Sequence, residues 1–578
     1  VPALAALALL AAAAPARAQL PPPLPGIIER VAPPEAPQLG PPLLPPEPGR
    51  ATGPGEARRV PLGRVVLRGA AGLPEATLRA AAASLEGRQA TLAEIEEARL
   101  AVLRLYRAAG YPYVAVGAAL ARGEDGRADL LLTITEGFIA ELVLEGAAAQ
   151  PVAQQVQRFL APLQGVRPLP NAALERALLL AADIPGITAR GVLRPIAGEP
   201  GALQLVVQIE RRAISGFFSL DNRGYPLTGA WQGLLVGQLN SLTARGERTE
   251  LALLQSEGNG QSFLQVTHEV FLGASGLRLR AYAGGGRSAP GAPLSAIGYR
   301  GDTRVAGAAL IYPVLRSRPA NLNISAQLDG FDSEVETRGG AEAPRERLSR
   351  DTVRALRFGI DGAMLDAWLG SAPAAATTTG LLRLHRGLST LGAGSGDSGN
   401  VARAGSDFGF TRVVAEASRT QPLLVPAEGW LLSAFGIVGG QWSDDVLPPA
   451  EKFYLGGNRF GRGFYAGQLI GDRAVGFSAE LQLSTTRQFA WPGAAPQAAP
   501  LQLGTQFYLF RDGGRVAQNT PDTPERWLGS WGGGVRFQLN ETLQLDIEGV
   551  RRMTRTPEGV GVERLSADAV YARLLLRY

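Results

Sequence analysis

Few side chains in this 578-residue sequence are equipped for covalent or metal chemistry. It contains no cysteine, which removes thiolate nucleophiles, thiolate metal sites and disulfides. Its two histidines, His268 and His385, stand alone in runs of alternating apolar and polar residues, whereas a metal site needs clustered ligands. Both read as wall residues, and neither has the serine or aspartate setting of a barrel hydrolase. The sequence therefore reads as a non-enzyme with no cofactor and no metal. The candidate chemistry left is ionic. "YLGGNRFGRGFYAGQLIGD", Tyr454 to Asp472, packs six glycines between two strand-like runs. Gly456, Gly457, Gly461 and Gly463 let its backbone turn tightly. Arg462, in "GRGF", offers a guanidinium that forks onto a carboxylate through two hydrogen bonds. The bland alternative is an exposed glycine loop.

The elements that would position such an arginine come in blocks. The formal charge of +5 is carried almost wholly by arginine, with Lys452 the single lysine. These cations are scattered, which argues against nucleic acid as a partner. Residues 1–18 read as a partial export signal, with an apolar core from Ala3 to Ala14 and cleavage after Ala16-Arg17-Ala18. No later stretch approaches the ~20 apolar residues of a membrane helix, so any membrane crossing would use strands. Residues 19–59 form a proline-rich linker with "LPPPLP", "APPEAP" and "PPLLPPEP", suited to polyproline II. Within it only Gly26–Ala32 has room for a short plug helix, so removing the tract is expected to change pore conductance little.

Residues 60–136 and 137–212 repeat one order of elements, β-α-α-β-β. The first unit runs through "GRVVLRGA", "PEATLRAAAASLEG", "TLAEIEEARLAVLRLYRAAGY", "YVAVGAALA" and "ADLLLTITEG". Its long helix places Ile95, Ala98, Val102 and Leu105 on one face. The second unit runs from "FIAELVLEG" to "LQLVVQIERR". Neither carries a nucleophile with its base, paired acids or a phosphate loop, which points to binding work.

From residue 213 to 578 the pattern is strand-length alternation. Leu501, Leu503, Phe507 and Leu509 oppose Gln502, Gln506, Tyr508 and Asp512. Val475, Phe477, Ala479, Leu481 and Leu483 oppose Ser478, Glu480, Gln482 and Ser484; Leu543, Leu545 and Ile547 oppose Gln544, Asp546 and Glu548. Runs of ten residues with Gln-, Ser- and Gly-rich polar faces suit a transmembrane barrel with a wet lumen. The expected fold is an all-β barrel of about 16 antiparallel strands behind two α+β modules. Long connections are expected after odd-numbered strands, at Arg287–Arg300, Glu334–Arg350, Ser389–Ser406, Ser443–Ile470 and Gly513–Arg526. The last strand, "VYARLLLRY", ends on Tyr578, a terminal aromatic of the kind barrel-assembly machinery reads.

On these residues the sequence resembles the two-partner secretion transporters, the haemolysin secretion/activation proteins of the outer-membrane assembly superfamily. "YLGG", Arg462-Gly463-Phe464 and Gly471-Asp472 resemble that family's lumen-entering sixth loop, here within 444–470. Phe510, Asp512 and Gly514 match its F-x-D-x-G motif. Asp221, Asn222 and Gly224, with Thr228-Gly229, resemble its first barrel hairpin. "LYRAAGYPYVAV" and "ADIPGI" are similar to its two POTRA modules. The family usually has a β-branched residue where Gly461 stands, which implies a looser loop tip. The resemblance implies an outer-membrane translocase with its modules in the periplasm. It further implies an unfolded, β-helical exoprotein as client, outer-membrane lipid around the barrel, barrel-assembly machinery as a partner in biogenesis, and a monomeric state. It also implies that Arg462 meets Asp512 inside the lumen. An insertase of the same superfamily and a passive porin are the rival readings.

Overall fold

The computed structural model describes residues 31–32, 37–40, 57–123, 126–146, 151–339, 343–370, 372–396, 400–490, 500–559 and 564–578. The signal segment lies outside them.

Residues 59–136 form the first module. Strand Arg59–Arg68 runs parallel to Ala128–Glu136, which pairs antiparallel with Val114–Arg122. Helices Glu75–Ala82 and Leu92–Ala108 cover the sheet. The longer helix starts where Thr91 Oγ1 accepts the Glu94 amide while Glu94 accepts the Thr91 amide, a capping box satisfying two otherwise unpaired donors. Ile95, Ala98 and Val102 are buried, joined by Leu103 and Tyr106, and Leu105 is only half-buried. One element goes beyond the sequence expectation: Gln89–Thr91 adds a three-residue strand on Arg59–Pro61. The second module keeps the simpler order, with strands Phe138–Glu145, Ile187–Pro195 and Ala202–Arg211 and helices Ala153–Leu160 and Asn171–Ala182.

Sixteen antiparallel strands close the barrel, from Ile214–Asp221 to Asp568–Arg577. The alternation in the sequence is the reason. On strand thirteen (Leu501–Ala517) Phe507 and Leu509 stand exposed while Tyr508, Phe510 and Asp512 are buried. Strand twelve (Arg473–Phe489) exposes Val475, Phe477 and Leu481 and buries Ser478 and Glu480. An apolar face this extensive cannot rest against water and needs lipid. The seam pairs strand sixteen with strand one from Arg573↔Asp221 to Arg577↔Phe217. Tyr578 extends it by exchanging two 3.0 Å backbone hydrogen bonds with Gly216.

The expected loop Glu334–Arg350 is mostly strand. Strands seven (Ala320–Arg338) and eight (Arg345–Asp366) continue through it, leaving 339–344 as the connection. Opposite charges meet across this extension: Glu334 faces Arg350 in the register and pairs with Arg347.

The second module is fixed to the barrel's short turns. Asp183 receives a two-bond fork from Arg316, both at 2.7 Å, and Arg176 donates to the Pro313 carbonyl at 2.7 Å. Phe159 meets Phe271 edge-on at 5.3 Å.

Strands two to four turn Leu234, Val236, Ala252, Leu254 and Phe263 away from lipid, yet these apolar side chains are almost fully buried. Val31 covers them, and Gly40 then donates to the Arg318 carbonyl at the periplasmic turn after strand six. Within the proline-rich tract, Val31 and Ala32 therefore pack on the inner side of the barrel wall. Uncovering that apolar patch to lumenal water would be unfavourable.

Candidate functional site: a loop folded into the lumen

The connection between strand eleven (Trp430–Trp442) and strand twelve folds inward as a hairpin. Phe453–Leu455 pairs with Leu469–Gly471, and the turn between them carries the glycine-rich tip. Gly456, Gly457 and Gly461 hold φ of 104°, 91° and 82°. A β-carbon on Gly456 would run into the Tyr465 carbonyl, and one on Gly463 would press on Ser530 and Val550 at 2.9 and 3.0 Å. Here glycine is required by both conformation and proximity. Phe464 is buried with Leu455, Phe460, Leu469, Val516 and Leu528. Gly514 lies under Leu455, leaving no room for a side chain.

Arg462 and Asp512 do come together, but not as an ion pair between side chains. Asp512 Oδ2 accepts the backbone N–H groups of Gly461 at 3.0 Å and Arg462 at 2.6 Å, while Oδ1 accepts the Ser530 hydroxyl. The guanidinium reaches past it. Nη1 donates to Glu548 at 3.0 Å and Nη2 pairs with Glu480. The physical reason is reach: with its backbone amide already on Asp512, the long side chain extends to carboxylates on strands twelve and fifteen (Leu543–Arg552). Gly461 is likewise held by Asp512 through its backbone amide.

Each wall carboxylate keeps a second cation. Arg536 binds Glu480 at 3.0 Å, and Arg223 binds Glu548 at 2.5 Å. Tyr508 donates its hydroxyl to Glu548 at 2.8 Å, and Arg462 lies 4.5 Å over the Phe510 ring. Arg552 and Tyr571 both donate to the Gly463 carbonyl. These partners sit on faces the alternation already marks as polar; Glu480 and Glu548 were legible as lumenal carboxylates, though not as the ones Arg462 selects.

The first hairpin joins the same site. Asp221 accepts the Arg223 amide and the Gln232 side chain, each at 2.9 Å. Arg223 then donates to the Arg462 carbonyl at 2.8 Å. Asn222 bonds the last strand, donating to Val570 O at 3.1 Å and accepting from the Ala572 amide at 2.8 Å. Gly224 closes the turn by donating to Ala230 O at 2.9 Å. Tyr578 lies on the outward side, over Gly216, its hydroxyl 3.3 Å from Val236 O.

The hairpin's return ends at Asp472, fully buried. It takes a fork from Arg403 at 2.7 and 2.9 Å and the amides of Leu447 and Asn519 at 3.1 and 2.7 Å. Of the histidines, His268 touches Thr249 on an exposed face, and His385 is buried between Arg357 and Arg412. No cluster of metal-binding side chains occurs among the described residues. The geometry is that of a lumenal plug held by buried charge and backbone hydrogen bonds.

A family model of the haemolysin secretion/activation protein ShlB/FhaC/HecB matches residues 201–537, and one of the ShlB-type POTRA domain matches residues 60–137. The heme/hemopexin transporter protein HuxB of Haemophilus influenzae is 24% identical over 302 residues. That match covers 51% of this chain and 49% of HuxB, so the chain spans about half the length of this relative. Among solved structures, CdiB from Escherichia coli superposes with a TM-score of 0.69 at 17% identity, covering 92% of this chain and 93% of that one. CdiB from Acinetobacter baumannii gives 0.61 at 16%, covering 96% of each. These likenesses show the shared fold, and with the family match they lead to one conclusion: the chain belongs to the ShlB/FhaC/HecB haemolysin secretion/activation family, an outer-membrane barrel whose POTRA modules face the periplasm.

Proposed function

We propose that the chain is the outer-membrane half of a two-partner secretion system, capturing an unfolded exoprotein with its modules and passing it outward through the barrel as a monomer. The observation that carries this reading is the lumenal loop. It lies inside the barrel as the connection between two wall strands, and its tip is held there by ion pairs, hydrogen bonds and apolar contacts rather than by strand pairing to the wall, so the tip can be displaced.

The modules supply the chemistry of capture. Val114–Arg122 pairs on one side only among the described residues, as does Ile187–Pro195, and an unpaired strand edge accepts an extended segment by β-augmentation. Between the modules a cleft of about 770 Å³ is lined by Pro112, Tyr113, Leu193, Ile196, Pro200 and Leu203. A β-rich client presents alternating apolar side chains that suit such a cleft. Tyr578, at the seam, is read as the signal for the barrel-assembly machinery.

Deleting 137–212 tests the reading. Secretion of the cognate exoprotein should fall to background while the barrel still inserts and conducts ions. Secretion at the level of the intact chain would refute capture by this module.

A further inference from the structure

The lumenal loop has a second charged end. At its entry, the short helical turn Pro449–Glu451 carries a carboxylate only 1% exposed. Arg357, on strand eight, donates to Glu451 at 2.8 and 3.1 Å. Arg412, on strand ten (Thr411–Leu424), lies 2.6 Å from the other carboxylate oxygen and donates to the Glu451 carbonyl at 2.7 Å. Asp329, on strand seven, holds Arg357 from behind at 2.8 Å. Gln441 also donates to the Glu451 carbonyl, at 3.0 Å.

This arrangement is the charge inverse of the tip. At the root, one loop carboxylate is gripped by two wall guanidiniums. At the tip, one loop guanidinium is gripped by two wall carboxylates. The walls differ too: strands seven to eleven hold the root, and strands twelve to sixteen with the first hairpin hold the tip. Between them Arg459 pairs with Glu416, but that arginine is largely exposed and the pair contributes little. The loop thus lies across the lumen as a bar with an ionic lock at each end.

We propose that Glu451 is a positioning residue of the pore, a root lock that holds the loop independently of Arg462, so that the tip can leave the wall while the root stays. A buried carboxylate with two cationic partners is costly to strip of either, which favours keeping this end fixed. Displacement of the bar would then be a swing about the root rather than a full withdrawal. The consequence for secretion rests on the function proposed above; the test does not.

The chain has no cysteine, so single reporters can be placed at will. Ala450→Cys reports the root and Val550→Cys reports the wall beneath the tip; both positions are nearly fully buried. Labelling of the full-length chain in detergent with a water-soluble maleimide reads their opening, with heat-modifiable gel mobility confirming a folded barrel. In Glu451→Gln, labelling at 450 should rise at least about tenfold, the effect of ~1.4 kcal/mol of lost holding, while 550 stays within about twofold. Arg462→Ala should do the converse. Glu451→Asp, which keeps the charge, should restore much of the protection. Unchanged labelling at 450, or both sites opening together in either variant, would overturn the proposal. If Glu451→Gln does not fold, Arg412→Gln removes the grip from the wall side and is read by the same criteria. Failure of both to fold would also overturn it, since the cluster would then be scaffold for the barrel rather than a lock on the loop.

Discussion

Replacing Arg462 with alanine should loosen the loop tip without dismantling the wall. The guanidinium is 7% exposed and its partners Glu480 and Glu548 are 2% and 5% exposed, so solvent screens these pairs poorly. Breaking a buried pair costs roughly 3–5 kcal/mol when a charge is left alone. Here neither carboxylate is abandoned, because Arg536 remains on Glu480 and Arg223 on Glu548. The low end, about 3 kcal/mol, is therefore expected, equivalent to tip opening on the order of 100-fold more often. Maleimide labelling of Val550→Cys measures that population directly. The structure also sets which second substitution couples. Arg462→Ala combined with Glu480→Gln should cost about 1–3 kcal/mol less than the sum of the two, since both remove the same bond. Combined with Asp512→Ala, the coupling should be smaller, because Asp512 holds the backbone of 461 and 462 and meets the side chain only indirectly. Strong coupling to Asp512 with additivity at Glu480 would refute this division of labour.

Four further outcomes are expected. Arg316→Ala should free the second module from the barrel, because Arg316 supplies the fork onto Asp183; spin labels on the module and barrel should show a broadened distance distribution. Deleting residues 19–40 should raise single-channel conductance, since Val31 covers a buried apolar patch on the lumen wall, and unchanged conductance would place that contact outside the ion path. Thr91→Ala should cost the first module about 1 kcal/mol through its lost cap, seen as faster amide exchange in Leu92–Ala108. In the same box, the Thr91 amide, then Arg88, hold Glu94 down from its ordinary 4.5 to about 2. A depressed carboxylate stabilises the fold above the unfolded value, so this protection should be full above about pH 4.5 and vanish as pH falls through about 2.

The sequence and the structure part company at identifiable places. Alternation along Leu501–Gly514 and Val475–Ser484 placed each side chain on the face where it is found, because a barrel wall has strict period two. The glycine loop was legible because its glycines and arginines interrupt the alternation that flanks it on both sides. The partner of Arg462 was not. The F-x-D-x-G resemblance and the inward alternation pointed to Asp512, but which carboxylate a guanidinium reaches depends on how far its anchored backbone leaves it from each wall. Glu451 escaped notice because "LPPAEKF" has no repeat or motif, and its partners lie on strands eight and ten, 94 and 39 residues away. Val31 was hidden by the prolines around it. Loop 334–350 was misjudged because charge reads as solvent exposure, whereas opposite charges facing across rungs extend a ladder into water.

Site-specific photo-crosslinking on strand thirteen tests the central claim most directly. Tyr508 and Leu509 are neighbours that point to the lumen and to lipid, the first 4% and the second 67% exposed. With a crosslinking residue at each position in turn, the exoprotein should be trapped in transit at 508 and not at 509. Adducts at neither position, or at 509 alone, while the exoprotein still reaches the medium, would mean that it does not travel through this barrel.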